Sequence, residues 1–241
     1  MSGRAPGPGR AAMAAAGAAL HLGLLWLPLV VAGRHLAASR DGPTLVFACL
    51  SASFVALEIF SQVPANDPVV LCSDAYRRDR LLALVTGVAL YVLFASAVVE
   101  RALVAPPVPF VDCLLPLAAF GAVSLTLGAL LRCAAIRRLG RFFVAEARVV
   151  PRQPLVVHGV YRLLRHPSET GLLAASFGAV ALLRSAVGLA VWVLVLLPVS
   201  VARVRREDAV LGRAFPEAYP RYAARVGALL PRLEYGPPTS P

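Results

Sequence analysis

The chain has 241 residues, 59% of them hydrophobic, and a formal net charge of +11. Such apolar content excludes an ordinary water-soluble domain and leaves length for about six spans of roughly 20 residues each, so the predicted fold class is all-α, a polytopic transmembrane helical bundle. All 24 basic residues are arginine, but no basic segment is interleaved with aromatics. The charge therefore reads as loops beside an anionic bilayer surface and not as a nucleic-acid interface.

Residues 1–10 are rich in Gly, Pro and Arg and are expected to be disordered. The apolar run from Ala11 to Gly33 exceeds the apolar core of a secretory signal and reads as a retained first span. Further runs cover Thr44 to Val63, Leu81 to Val104 and Val111 to Leu131, which makes 11–131 a four-span scaffold. A polar segment carrying Asp67, Asp74, Arg77, Arg78, Asp79 and Arg80 separates the second and third runs. Pro106, Pro107 and Pro109 form a tight turn into the fourth. Glu58 lies inside the second span, where an ionisable group is by default a functional candidate, although a protonated or paired structural glutamate is the preferred reading.

An arginine-rich connection then runs from Arg132 to Thr170. With the N-terminus inside, segments 64–80 and 132–170 and everything after residue 202 fall on the cytoplasmic side, leaving the arginine-free proline turn outside. Both termini are thus expected to be cytoplasmic. The apolar stretch Gly171 to Val201 is broken only by Arg184 and Ser185, into arms of about thirteen and sixteen residues, or roughly 20 to 24 Å. One unbroken helix would strand Arg184 at mid-membrane at a cost of roughly 2.5 to 3.5 kcal/mol, so a short helical hairpin is expected. Beyond it, Leu211, Phe215, Tyr219 and Tyr222 share one helical face, which predicts a C-terminal amphipathic helix at the interface, interrupted by Pro216 and Pro220. Residues 234–241 read as a disordered tail.

The cysteines Cys49, Cys72, Cys113 and Cys133 contain no Cys-x-x-Cys pair, and the histidines have no ligand spacing, so neither a metal site nor a disulfide framework is legible. Polar chemistry gathers instead between Gln153 and Gly171. Tyr161, Arg165-His166-Pro167-Ser168 and Gly171, followed after the hairpin by Arg203, Glu207-Asp208, Leu211, Phe215, Tyr219, Tyr222, Arg225 and Pro231, resemble the signature of the isoprenylcysteine carboxyl methyltransferase family. The broader group takes in phospholipid N-methyltransferases. The resemblance covers roughly residues 132–233, the expected methyltransferase core of cytoplasmic loop, hairpin and C-terminal segment.

This resemblance implies an integral membrane enzyme that uses S-adenosylmethionine at the cytoplasmic face, on a lipidic acceptor entering from the bilayer, with a prenylcysteine-type carboxylate as the first choice. It places cofactor contacts at Glu146, at the segment Gln153, Pro154, Leu155 and Val156, and at Tyr161. Further contacts fall at His166, Pro167, Ser168 and Glu169, and Glu207 meets the cofactor as a carboxylate. Arg203 takes the substrate-facing position and, with Glu207, the catalytic one. Two positions depart from the pattern: Gln153 stands where the family usually has His, and Glu169 where it usually has an aromatic, which favours the sulfonium or alters substrate geometry.

The residue chemistry agrees with those roles. A sulfonium with a zwitterionic tail, held half in a membrane, needs an acid for its ammonium and donors for its carboxylate, and Glu207 and the Arg165-His166 pair can supply them. Arg203 offers a planar fork of donors suited to a carboxylate, and lies four residues from Glu207 on one helical face. Two other readings stay open: N-methylation of an amine-bearing phospholipid headgroup, and a non-catalytic membrane scaffold that keeps the fold.

Overall fold

The computed structural model describes residues 8–31, 33–61, 74–104, 116–143 and 152–232, and among these the regular elements are helices. In chain order they are α1 (Pro8–Val31), α2 (His35–Ala38), α3 (Gly42–Ser61), α4 (Asp74–Val104), α5 (Pro116–Leu139), α6 (Pro167–Leu183), α7 (Ala186–Val191), α8 (Leu197–Ala214) and α9 (Ala218–Arg225). Two 3-10 turns, Gly140–Phe142 and Gly159–Arg162, punctuate the connection between α5 and α6. Among the described residues four helical stretches are long and apolar enough to cross a membrane, Gly42–Ile59, Leu81–Val104, Pro116–Phe142 and Ala186–Ala214, and Ala15–Val31 and Pro167–Leu183 are shorter apolar helices. The protein is a multi-span integral membrane protein.

Several boundaries differ from those read along the sequence. Helix α1 takes in Pro8 to Arg10, because proline is accommodated in a first turn, where its missing N–H has no partner to lose. Helix α5 continues to Leu139, so Arg132 to Leu139 are helix and not loop; Arg137 and Arg138 suit the negative end of the helix dipole. The hairpin does turn at Arg184, which is exposed and left-handed with φ 55°. Its second arm is not short, however: helix runs without a break from Ala186 to Ala214 through a π turn at Trp192–Leu196. That turn sits just before Pro198, whose ring cannot continue a regular hydrogen-bond ladder. Arg203, Glu207 and Asp208 therefore ride on the same rod that returns through the apolar layer. The proline turn at 105–110, Asp67, Glu146 and the tail after residue 232 lie outside the described residues.

Helices α5 and α6 pack against each other along four glycines. A Cβ on Gly121 would sit 2.3 Å from the Leu182 nitrogen, and one on Gly128 would sit 2.4 Å from the Ala175 nitrogen and 2.6 Å from the Gly171 carbonyl. Gly171 and Gly178 return the contacts, at 2.6 Å from the carbonyls of Gly128 and Gly121. Small residues at such spacing let helix backbones touch where no hydrophobic force between helices is available. Arg132, one turn past Gly128, is thereby brought onto the start of α6.

Polar ties fix the remaining helices. The Asp41 carboxylate caps α3 through the Thr44 N–H at 3.1 Å and pairs with Arg101 of α4 at 2.8 Å, both side chains buried. Glu100 accepts from the Ser185 hydroxyl and from the N–H groups of Ala186 and Val187, which pins the hairpin turn to the end of α4. Trp192 donates its indole N–H to the Leu173 carbonyl and the Ser176 hydroxyl across the two arms.

Candidate active site

The connection after α5 is clamped from both sides. Arg165 N–H donates to the Gly227 carbonyl at 2.8 Å and His166 N–H to the Ala228 carbonyl at 3.1 Å, beside a parallel bridge between Leu164 and Gly227. The Thr170 hydroxyl reaches the Leu229 carbonyl, and the Tyr222 hydroxyl donates to the Tyr161 carbonyl at 2.6 Å. The strip behind the hairpin is thus folded back over the strip before it.

At the centre of this clamp is His166, buried at the N-terminus of α6. Its Nδ1 lies 3.1 Å from a Glu207 oxygen and its Nε2 2.6 Å from an Asp208 oxygen. Ionised carboxylates only accept, so both ring nitrogens donate and the ring is an imidazolium. Burial opposes that charge, but the two carboxylates outweigh it and raise the pKa to about 9. Arg165 pairs with the same Asp208 at 3.2 Å, and Tyr219 donates its hydroxyl to it. Burial, with the Glu207 charge behind it, pushes the Tyr161 hydroxyl well up; burial likewise pushes Tyr222 up to about 12.

One turn deeper, a second set of charges faces the first. Arg203 lies one turn before Glu207 on α8, and Glu169 lies three residues past His166 on α6, with Arg203 Nε 3.7 Å from Glu169 Oε2. Arg203 also approaches the Thr86 hydroxyl of α4 at 3.5 Å. Arg132 binds Glu58 at 2.6 Å and donates to the Ser168 hydroxyl and carbonyl. Glu58 is thus a paired glutamate.

These groups line a cavity of about 510 Å³ that has three levels. Gln153, Tyr161, His166 and Glu207 form the loop-side level, and Arg132, Glu58, Glu169, Arg203 and Thr86 the middle one. Beyond them the wall is apolar, made by Leu20, Leu24, Phe54, Leu90, Tyr91 and Phe94 of α1, α3 and α4. A side pocket of about 40 Å³, lined by Gln153, Pro154, Leu155 and Val156, shares Tyr161 and Glu207 with the loop-side level. Of the residues singled out in the sequence, Pro167 is fully buried and starts α6 without reaching either wall. Ser168 is on the wall but holds Arg132.

Sequence reading missed Arg132, Thr86, Arg206 and the apolar level. The signal for Arg132 was present: an arginine closing the fourth apolar run and a glutamate inside the second are each costly alone and complementary together. Nothing local marks Thr86 or Leu24, which enter the wall only because α1 and α4 pack there. His21, also on the wall, meets Phe94 edge-on with ring centroids 6.2 Å apart.

Fold and cavity together define a class: an intramembrane helical bundle with a polar site that opens into an apolar chamber. Residues 120–213 match the model of the isoprenylcysteine carboxyl methyltransferase (ICMT) family. A probable protein-S-isoprenylcysteine O-methyltransferase of Oryza sativa subsp. indica is 32% identical over 116 residues, 47% of this chain and 61% of the relative. Protein-S-isoprenylcysteine O-methyltransferase A of Arabidopsis thaliana is 33% identical over 114 residues, 46% of this chain and 58% of the relative. The matched part spans about three fifths of the length of these relatives. The solved structure of the eukaryotic intramembrane Ras methyltransferase ICMT shares the fold, with a TM-score of 0.54 at 24% identity over 86% of this chain and 73% of that one. The chain resembles this family in sequence over its second half and in fold over most of its length.

Proposed function

We propose that the protein is an S-adenosylmethionine-dependent methyltransferase that esterifies the carboxylate of a prenylcysteine-type acceptor. The observation that carries this reading is the order of levels in one cavity: a carboxylate-bearing loop end, then Arg203, then a hydrocarbon wall. The matched family and the names of the plant relatives support the same reaction.

The donor set fits the cofactor. Glu207 is half-exposed and suits an ammonium group; Arg206 and Gln153 at the cavity wall suit a carboxylate, and the Leu155-Val156 edge of the side pocket suits an aromatic base. When bound, the cofactor supplies a methyl group to the acceptor's carboxylate oxygen, the carbon–sulfur bond breaking with its electron pair left on sulfur. Arg203 holds that carboxylate in line, and the low-dielectric chamber keeps water away, so positioning and desolvation carry the rate and no general base is needed. His166 acts through others: with both nitrogens on carboxylates, it sets where Glu207 and Asp208 point. The apolar level, walled by α1, α3 and α4, accommodates the lipid chain. The arginine-rich connection supports a cytoplasmic loop-side level and cytoplasmic termini. Residues 132–233 act as the methyltransferase core, and the earlier helices add the apolar wall.

Purified protein in lipid nanodiscs, given methyl-labelled S-adenosylmethionine and S-farnesylcysteine, is expected to yield label released by mild base. Base-stable label in an amine lipid would replace this reading with N-methylation. Calorimetry that detects no binding of S-adenosylhomocysteine would remove both.

A further inference from the structure

Glu169 is 8% exposed at its side chain and uses only half of its carboxylate: Oε2 meets Arg203 at 3.7 Å, while Oε1 is buried with no hydrogen-bond partner among the described residues. Buried acceptors are nearly always satisfied, and an exception on a cavity wall marks a place where a ligand can bring the missing donor. Its level in the cavity says which ligand. Glu207, one turn nearer the loop, already offers a carboxylate to the cofactor end. Glu169 instead sits beside Arg203 and in the field of Arg132, where the polar head of an acceptor must lie if its chain fills the apolar level.

We propose that Arg203 and Glu169 form a clamp for the two polar groups of an α-amino acid, Arg203 taking the carboxylate and Glu169 Oε1 accepting from the N–H on the adjacent carbon. A nitrogen and a carboxylate separated by one carbon match two side chains whose charged ends are 3.7 Å apart. The inference rests on the carboxyl-methylation reading and narrows it. The acceptor is an S-alkylated cysteine whose nitrogen keeps a hydrogen, as an amide or an ammonium, and is not a plain lipid acid.

Three acceptors test this in steady-state methyl transfer: S-farnesylcysteine, its N-acetyl derivative and the deaminated S-farnesyl-3-mercaptopropionate. The two N–H-bearing acceptors are expected to exceed the deaminated one in kcat/KM by roughly 10- to 100-fold, the range for a donor lost from a buried charged acceptor. Glu169→Leu is expected to bring that ratio close to one, and Glu169→Gln, which keeps an acceptor oxygen, to retain most of it for the N-acetyl compound. Equal kcat/KM for all three acceptors in the wild type overturns the clamp while leaving carboxyl methylation intact. An undiminished ratio in a Glu169→Leu protein that still turns over does the same. If Glu169→Leu does not fold, the wild-type series decides by itself. Methylation of none of the three removes the underlying reading and the clamp with it.

Discussion

Replacing Gly128 by alanine tests how the site is built. In an exposed helix the change stabilises by about 1 kcal/mol, because alanine is the better helix former. At Gly128 the new Cβ would lie 2.4 Å from the Ala175 nitrogen and 2.6 Å from the Gly171 carbonyl oxygen. Both are backbone atoms in the middle of α6, so neither can swing aside as a side chain would. Contact at ordinary van der Waals distance then requires the helices to part by about 1 Å, which undoes close packing along α5 and α6 at a cost of roughly 1 to 3 kcal/mol. The net expectation is a loss of up to about 2 kcal/mol, or an apparent Tm lowered by up to roughly 8 °C. Turnover falls as well, because Arg132 is one turn away and its hydrogen bonds to Ser168 are 3.0 and 3.2 Å long. Gly23→Ala, where a Cβ meets nothing within 4 Å, serves as the control and is expected to be neutral or slightly stabilising. Thermal unfolding in detergent and methyl transfer are the measurements. A Gly128→Ala protein as stable and as active as the wild type would refute the claim that the glycine contact sets the spacing of the site.

The charged residues give two further expectations. Arg203→Ala should abolish turnover while calorimetry still detects S-adenosylhomocysteine, and Glu207→Ala should weaken that binding by roughly tenfold or more, as for a lost charge-assisted hydrogen bond; the opposite pattern would reverse the two roles. For His166 the folded-state pKa of about 9 lies above the ordinary 6.5. Its stabilising contribution, on the order of 3 kcal/mol, is therefore complete below pH 6.5 and is lost as pH rises through 9. Apparent Tm should fall across that window in the wild type and be flatter in His166→Gln; an unchanged slope would mean that the imidazolium contributes nothing.

Hydropathy and arginine placement were enough to read a helical membrane bundle, the turn at Arg184 and the two polar strips, because each is written in runs of neighbouring residues. The pattern around His166 and Glu207 was equally legible: a hairpin that turns at Arg184 must return the second strip to the first. What stayed hidden depends on contacts between distant segments. Glu58 and Arg132 are 74 residues apart and find each other only because α3 and α5 pack side by side. The length of the second hairpin arm was misjudged because charged residues end a hydropathy run without ending a helix. The half-satisfied carboxylate of Glu169 is a property of no local sequence. It exists because α6 and α8 bring Glu169, a residue of the cavity wall, within 3.7 Å of Arg203 and leave its other oxygen buried without a hydrogen-bond partner among the described residues, and burial of a single atom is decided by tertiary packing alone.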